Sequence, residues 1–290
     1  MTAPVSGSSA VYAIIGDPVS HSLSPRMHNA AFAALGIDAV YVPFRVAGAE
    51  LASGVQALRT LGVRGVNVTI PHKEQVCQFL DEIDAGAQVV GAVNTIVNDN
   101  GYLKGYNTDG DGLVRSLQKD LGYSVGPTTR ALILGAGGAA RGGIAAMARC
   151  GAARLVIANR SVARAQELVA RFAPLFPACE FIAMALADEN LVAEVEKSEL
   201  IINSTSLGLS GESFNVLPWH AIKAETVLYD MIYAAADTPF TASARRYGLR
   251  VCGGLGMLVE QGALAFNLWL GRDAGEIMRA AVGMTAVCGG

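Results

Sequence analysis

The sequence predicts an α/β protein of two domains, each built on a mostly parallel sheet. Three observations predict it. Short apolar runs of strand length alternate with helix-length runs along the chain, the order expected of βαβ units. Hydrophobic residues make up 52% of the 290 positions, with Ala and Val prominent, as in sheets covered on both faces. A chain of this length suits two cores better than one.

Taken in order, "AVYAII" is the first strand and "PRMHNAAFAALG" the first helix. Ser24 is the expected N-cap, Pro25 the first helical residue and Gly36 the stop. "AVYVPFRV" is the second strand, "AELASGVQALRTLG" the second helix and "GVNVTI" the third strand. Pro71 then opens a short helix, "PHKEQVCQFL". In "AVNTIVNDNGYLKGYNTD" two apolar runs flank Asn98–Gly101, which reads as a hairpin. The helix "GDGLVRSLQKDLG" leads to "YSVGPTTR", a Gly/Pro/Thr linker. Next come the strand, glycine turn and helix of "RALILGAGGAARGGIAAMARCG". "RLVIANR" is a strand, and "ELIINSTSLG" and "TVLYDMIY" are strands running into polar loops. From about Gly253 the pattern is helical. The expected domains are 1–109, completed by C-terminal helices at about 246–290, and 110–245. The first ten residues, "MTAPVSGSSA", read as a short disordered tail.

Composition narrows the function. The formal net charge is −3 and no basic block occurs, so no nucleic-acid partner is expected. No stretch of eighteen residues lacks Asp, Glu, Lys and Arg, so no membrane span is expected. Five scattered cysteines without CxxC spacing fit reduced thiols in the cytoplasm. The four histidines form no ligand cluster in sequence, and no metal is expected.

"LGAGGAAR" carries the strongest general signal. Gly135, Gly137 and Ala140 occupy GxGxxA positions between a strand and a helix, the context of a Rossmann-type dinucleotide fingerprint. The glycines allow close approach to a pyrophosphate, and the helix start offers N–H donors. The next strand ends in Asn159, Arg160, Ser161 and Arg164 without an acid. An NAD site places a carboxylate there, whereas arginines suit the 2′-phosphate of NADP. The other reading of both arginines is solvated surface charge.

The first third offers polar residues at strand ends. "GDPVSHSLSPRMHN" holds Ser22 and Ser24, hydroxyls at a helix start where an anion can bind. "NVTIPHK" gives Asn67, Thr69 and Lys73, "AVNT" gives Asn94, and "YNTDG" gives Thr108 and Asp109. Each has an ordinary structural reading: a solvated lysine, a capping aspartate, a hairpin asparagine. Together they offer groups for a polyol, with a lysine and a carboxylate for proton transfer.

At this point the chain resembles the shikimate dehydrogenase family. "HSLSPRMHN", "NVTIPHK", "AVNT", "YNTDG", "GAGGAAR", "NRSVAR", "NSTSLG", "YDMIY…TPF" and "GMLVEQGALAF" fall in that family's order and extend as far as Phe266. The resemblance implies reversible NADPH-dependent reduction of 3-dehydroshikimate to shikimate, on the way to chorismate and the aromatic amino acids. It implies a substrate domain and an NADP domain, in a monomer or homodimer. Ser22 and Ser24 match residues on the substrate carboxylate. Thr69, Asn94, Asp109 and Gln261 match residues on the ring hydroxyls, and Tyr233 a substrate-side tyrosine. Lys73 matches the catalytic lysine and Asp109 its partner. Gly135, Ala136, Gly137, Gly138 and Ala139, with Asn159, Arg160, Ser161 and Arg164, match nucleotide contacts. Met231 and Gly254 match residues near the nicotinamide. Ser204, Leu209, Gly253 and Ser161 depart from the usual pattern, all close to the cofactor. Two other readings stay open: a quinate/shikimate enzyme preferring NAD, and a non-catalytic ligand sensor of the same fold.

Overall fold

The structure, a computed structural model, describes residues 5–207, 214–234 and 236–284. Leu209, singled out above, lies outside them. The chain divides into two compact units, one of residues up to 108 together with those from 259 onward, the other of residues 109–258.

The first unit begins with β1 (Ala10–Gly16), α1 (Ser24–Ala34), β2 (Ala39–Arg45), α2 (Leu51–Thr60) and β3 (Gly65–Val68). It continues through β4 (Glu82–Ile83), α3 (Ala85–Val90), β5 (Thr95–Asp99) and β6 (Tyr102–Tyr106). The sheet order is β2-β1-β3-β5-β6-β4, and only β5 runs antiparallel to its neighbours. The start of β5 therefore lies beside the ends of β3 and β6, with Asn67 opposite Thr95 and Thr95 opposite Tyr106. The β5–β6 hairpin turns on Asn100 and Gly101, with φ of 51° and 96°. Two left-handed residues are what a tight primed turn needs, and Asn-Gly supplies them.

Both faces of this sheet are covered. Ala13, Ile15, Val66 and Val68 pack with Val55 and Leu58 of α2. On the other face Tyr12 meets Phe32 of α1 at 5.2 Å and Trp269 at 5.3 Å between ring centroids. Trp269 belongs to α9 (Leu255–Leu270), which α10 (Gly275–Ala281) follows. Its indole lies against Gly65, where an added Cβ would come within 2.5 Å of the ring. Its Nε1 donates to the Ile96 carbonyl at 3.0 Å. Chain from beyond residue 258 thus completes a sheet built before residue 107.

The second unit holds α4 (Asp109–Leu121), β7 (Arg130–Leu134), α5 (Gly138–Arg149), β8 (Arg154–Asn159) and α6 (Val162–Phe172). After them come β9 (Glu180–Ala185), α7 (Leu191–Lys197), β10 (Leu200–Asn203), β11 (Val227–Asp230), α8 (Pro239–Arg246) and β12 (Arg250–Cys252). The sheet is wholly parallel in the order β12-β11-β10-β7-β8-β9. This is the doubly wound order, with its switch point between β7 and β10.

Three expectations are corrected. Residues 246–258 do not join the first unit, because β12 pairs with β11. "PHKEQVCQFL" forms a short 3₁₀ helix, Gln75–Phe79, because Cys77 N–H and Leu80 N–H each reach back three residues, to Glu74 and Cys77. The start of the chain is held from Ser6 onward, since the hydroxyls of Ser6, Ser8 and Ser9 all donate to the Asp38 carboxylate. Gly36 does follow α1 in the left-handed conformation, with φ 63°.

Gly16 ends β1 where the loop after β3 passes closest. A Cβ there would meet Thr69 Cγ2 at 2.3 Å and Ile70 O at 3.0 Å. Gly16→Ala should therefore cost about 1–3 kcal/mol through overpacking. Urea unfolding of the two proteins checks this, and an unchanged midpoint would show that the Thr69 loop yields freely.

Candidate active site

In the first unit the polar residues of the motifs gather at one edge of the sheet. Asn94 is their node and is buried. Its Oδ1 accepts from Thr108 N–H at 2.8 Å and from Thr95 Oγ1 at 3.0 Å. Its Nδ2 donates to Thr108 Oγ1 at 2.9 Å and to Gln261 Oε1 at 3.3 Å. Thr108 Oγ1 also bonds the Gln261 carbonyl at 3.1 Å. These bonds join the start of β5, the chain after β6 and the second turn of α9. Lys73 is placed next to this node by its backbone, because its carbonyl accepts the Val93 N–H at 2.8 Å. Thr69 is fixed the same way, donating its N–H to Ile15 O at 2.9 Å.

The two serines exchange the roles expected of them. Leu23, not Ser24, stands at the N-cap of α1 and makes no side-chain cap bond. Ser22 Oγ instead accepts the Ser24 N–H at 3.2 Å. Ser24 begins the helix and is buried, so its side chain cannot reach back to the orphan N–H groups. Its hydroxyl faces Tyr41, which has a bond of its own to make.

The direction of that bond follows from the neighbours. Asn67 Nδ2 donates to the Asn94 carbonyl and to Thr95 Oγ1, each at 3.2 Å. Asn67 Oδ1 therefore faces Tyr41, whose hydroxyl donates to it at 2.7 Å. Burial raises the Tyr41 pKa well above its ordinary value, though the Ser24 hydroxyl opposes this, so the phenol keeps its proton. The Ser24 hydroxyl therefore meets a Tyr41 oxygen whose proton is committed to Asn67. Ser22, an acceptor toward backbone, retains its own proton for a ligand. Beneath Tyr41 the His28 ring stacks at 4.3 Å and 4°, and burial drives its pKa down to about 3. Asn67, a candidate ligand group by sequence, is occupied as a buried strut.

Asp109 and Tyr233 belong to the second unit. Asp109, at the start of α4, is buried and follows Thr108 directly. Tyr233 is exposed.

In that unit a cavity of about 450 Å³ opens at the end of β7, lined among others by Gly135, Ala136, Gly137, Asn159 and Arg160. Gly135 has φ 106°, and a Cβ on it would meet Ser204 Oγ at 2.6 Å. A Cβ on Gly137 or Gly138 would meet no protein atom within 4 Å, so packing within the protein does not demand glycine there. What glycine permits is close approach of a ligand. Gly137 is the N-cap of α5 and makes no side-chain bond, which leaves the first N–H groups of the helix for an anion. Among the described residues no carboxylate lies within ion-pair distance of Arg160 or Arg164. Arg160 lines the cavity, whereas Arg164, Ser161, Gly138 and Ala139 do not. The residues present fit a dinucleotide with a phosphate at the Arg160 end.

Met231 and Gly254 lie together, since a Cβ on Gly254 would come within 2.3 Å of the Met231 carbonyl. The cavity also takes Ala185 to Ala187, Ser204 to Leu207 and Val216. Of these, sequence reasoning placed only Ser204 near the cofactor, although it marked "NSTSLG" as a polar loop after a strand.

Three families match consecutive parts of the chain. They are described as the shikimate dehydrogenase substrate binding domain (residues 14–96), the shikimate / quinate 5-dehydrogenase (121–209) and the shikimate 5'-dehydrogenase C-terminal domain (254–282). The chain is 49% identical over 269 residues to the NADP(+) shikimate dehydrogenase of Geobacter metallireducens, covering 93% of this chain and 94% of that one. Its fold is similar to shikimate 5-dehydrogenase of Listeria monocytogenes solved with shikimate and NAD: TM-score 0.90, 34% identity, 97% and 99% of the two chains. It is similar also to shikimate 5-dehydrogenase of Thermus thermophilus solved with NADP(H) and shikimate: TM-score 0.81, 33% identity, 94% and 99%.

The Tyr41 geometry makes a specific expectation. In the ligand-free protein Asn67→Ala and Tyr41→Phe should couple by about 0.5–1.5 kcal/mol in a double-mutant cycle, because they share a hydrogen bond. Ser22→Ala with Tyr41→Phe should be additive to within about 0.5 kcal/mol. Urea denaturation of the variants measures both, and equal coupling in the two cycles would contradict the assigned bonds.

Proposed function

The chain belongs to the shikimate dehydrogenase family, and on that footing we propose how its residues carry the reaction. It catalyses the reversible NADPH-dependent reduction of 3-dehydroshikimate to shikimate. The observation that carries the site assignment is the Asn94 network, an array of amides and hydroxyls beside the backbone-anchored Lys73. Such an array suits a ring bearing several hydroxyls.

When bound, NADPH supplies the hydride. Lys73 donates the proton that the carbonyl oxygen takes up as charge develops on it. Asp109, joined through Thr108 to the network, orients the ammonium and accepts a hydrogen bond from the substrate hydroxyl beside it. Ser22 donates to the substrate carboxylate, and Ser24 completes that end at the helix start. Thr69 and Gln261 hold the ring hydroxyls, Asn94 joins them by redirecting the N–H that it gives Gln261 in the ligand-free protein, and Tyr233 stands on the substrate side. In the second unit, Gly135 to Ala139 form the turn and helix start for the pyrophosphate. Asn159 and Arg160, which line the cavity, would hold the 2′-phosphate, with Ser161 and Arg164 on the turn and helix beside them, and Met231 and Gly254 would stand on the nicotinamide side. The missing acid after β8 favours this cofactor over NAD. Oxidation of NADPH on adding 3-dehydroshikimate tests the reading, and a pure, folded protein without turnover overturns it.

Lys73→Ala should lower kcat by about a hundred- to ten-thousand-fold, with a much smaller change in the Michaelis constant for 3-dehydroshikimate. Steady-state kinetics decide; a variant keeping half the wild-type turnover would remove Lys73 as the acid.

Arg160→Asp should weaken NADP by about ten- to a hundred-fold, because the phosphate loses a partner and gains a repelling carboxylate. The gain for NAD should be smaller, since Arg164 and Ser161 remain. Michaelis constants for both cofactors check this. An unaltered NADP constant would return Arg160 to the class of solvated surface residues.

A further inference from the structure

One buried carboxylate has no part in the chemistry above. Asp230, the last residue of β11, is fully buried, and among the described residues no cation pairs with it. Its Oδ1 accepts from Asn203 Nδ2 at 2.9 Å and from Ile232 N–H at 3.1 Å, and its Oδ2 accepts from Thr238 Oγ1 at 2.5 Å. Asn203, the last residue of β10, is equally buried. An ionised carboxylate only accepts, so Asn203 must present its NH₂ to Asp230 and turn its oxygen the other way. That oxygen accepts from Thr205 N–H at 3.1 Å and Thr205 Oγ1 at 2.7 Å. Thr205 Oγ1 then accepts the Leu207 N–H at 3.2 Å. Thr205 and Leu207 line the cavity. On the other side, Met231 N–H donates to the Asn203 carbonyl at 2.8 Å. The loop at 205–207 and the segment 231–232 are thus held by one amide and one carboxylate.

We propose that Asn203 and Asp230 are a positioning pair for the cofactor: the carboxylate sets the direction of the amide, and the amide sets the loop that lines the cavity. Neither side chain needs to touch the ligand. The inference rests on the reading of this cavity as the NADP site. Burial also raises the Asp230 pKa, against the hydrogen bonds from Thr238, Ile232 and Asn203 that lower it. None of those three groups titrates near neutral pH, so the carboxylate is the one switchable member of the cluster.

The test is NADPH binding by fluorescence titration, with steady-state kinetics, on the full chain at about pH 6 and about pH 8.5. Asp230→Asn keeps an oxygen for Asn203 and Ile232, and its NH₂ can donate to the Thr238 hydroxyl. It no longer imposes the direction of the Asn203 amide, and should bind NADPH a few-fold more weakly than wild type, equally at both pH values. Asn203→Ala should bind about ten-fold more weakly and lower kcat, with the Michaelis constant for 3-dehydroshikimate within about two-fold. Asn203→Asp sets a second carboxylate against the first, and such a pair must share a proton. Its NADPH affinity, relative to wild type at the same pH, should fall by about ten-fold between the lower and the higher pH. A plain loss of packing moves with no such pH dependence. Should Asn203→Ala fail to fold, the comparison of Asn203→Asp with Asp230→Asn decides alone. Asn203→Asp following wild type at both pH values, or Asn203→Ala binding as wild type, overturns the proposal. A wild-type chain that binds no NADPH overturns instead the cofactor reading beneath it.

Discussion

The side-chain amide of Asn94 is the interaction on which the first unit's site depends. It is buried and satisfies both its donor and its acceptor side within the protein. The partners come from three places distant in sequence: the start of β5, the chain after β6, and α9. An unpaired amide at such depth would cost several times what one bond contributes. The three segments are therefore fixed relative to one another, and Lys73 and Thr69 take their places from backbone bonds to the same layer. The antiparallel course of β5 makes this possible, since it brings the beginning of one strand beside the ends of its neighbours.

The same device recurs in the second unit with a different anchor. There an acceptor-only carboxylate, Asp230, orients Asn203. In the first unit Asn67 is oriented by the Asn94 carbonyl, and through it Tyr41 acquires a fixed direction of donation. An amide is useful here because its two ends differ chemically while its shape does not. Once one end is committed, the other is determined, and a polar layer gains direction without gaining charge.

Much of this was legible in the sequence because it is written in local terms. The Asn-Gly turn at 100–101, the left-handed Gly36 and the glycine turn before α5 follow from what glycine and asparagine permit. What escaped depends on partners far along the chain. Ser24 looks like a cap beside Pro25, but the cap position falls one residue earlier and its side chain is buried. Asn67 looks like a ligand group and is consumed by Tyr41, Asn94 and Thr95. The return of the chain was expected near residue 246, yet three residues of β12 still pair with β11. So short a strand shows no periodicity to read. The cavity's far wall, Ala185 to Ala187 and Val216, is apolar and carries no motif.

Trp269 also bears on the order of synthesis. The indole covers Gly65 and Tyr12 and ties to Ile96, yet it is made after the whole of the second unit. While the chain is being synthesised, the first sheet must wait with one face incomplete, its Tyr12 and Phe32 side unsealed by the last helices. The second unit, continuous from 109 to 258, has all its strands in hand before those helices emerge. The region encoded first is therefore the last that can be finished. A growing chain shelters it only by ending, and a chain cut short before residue 269 leaves that aromatic face open to water and to its neighbours.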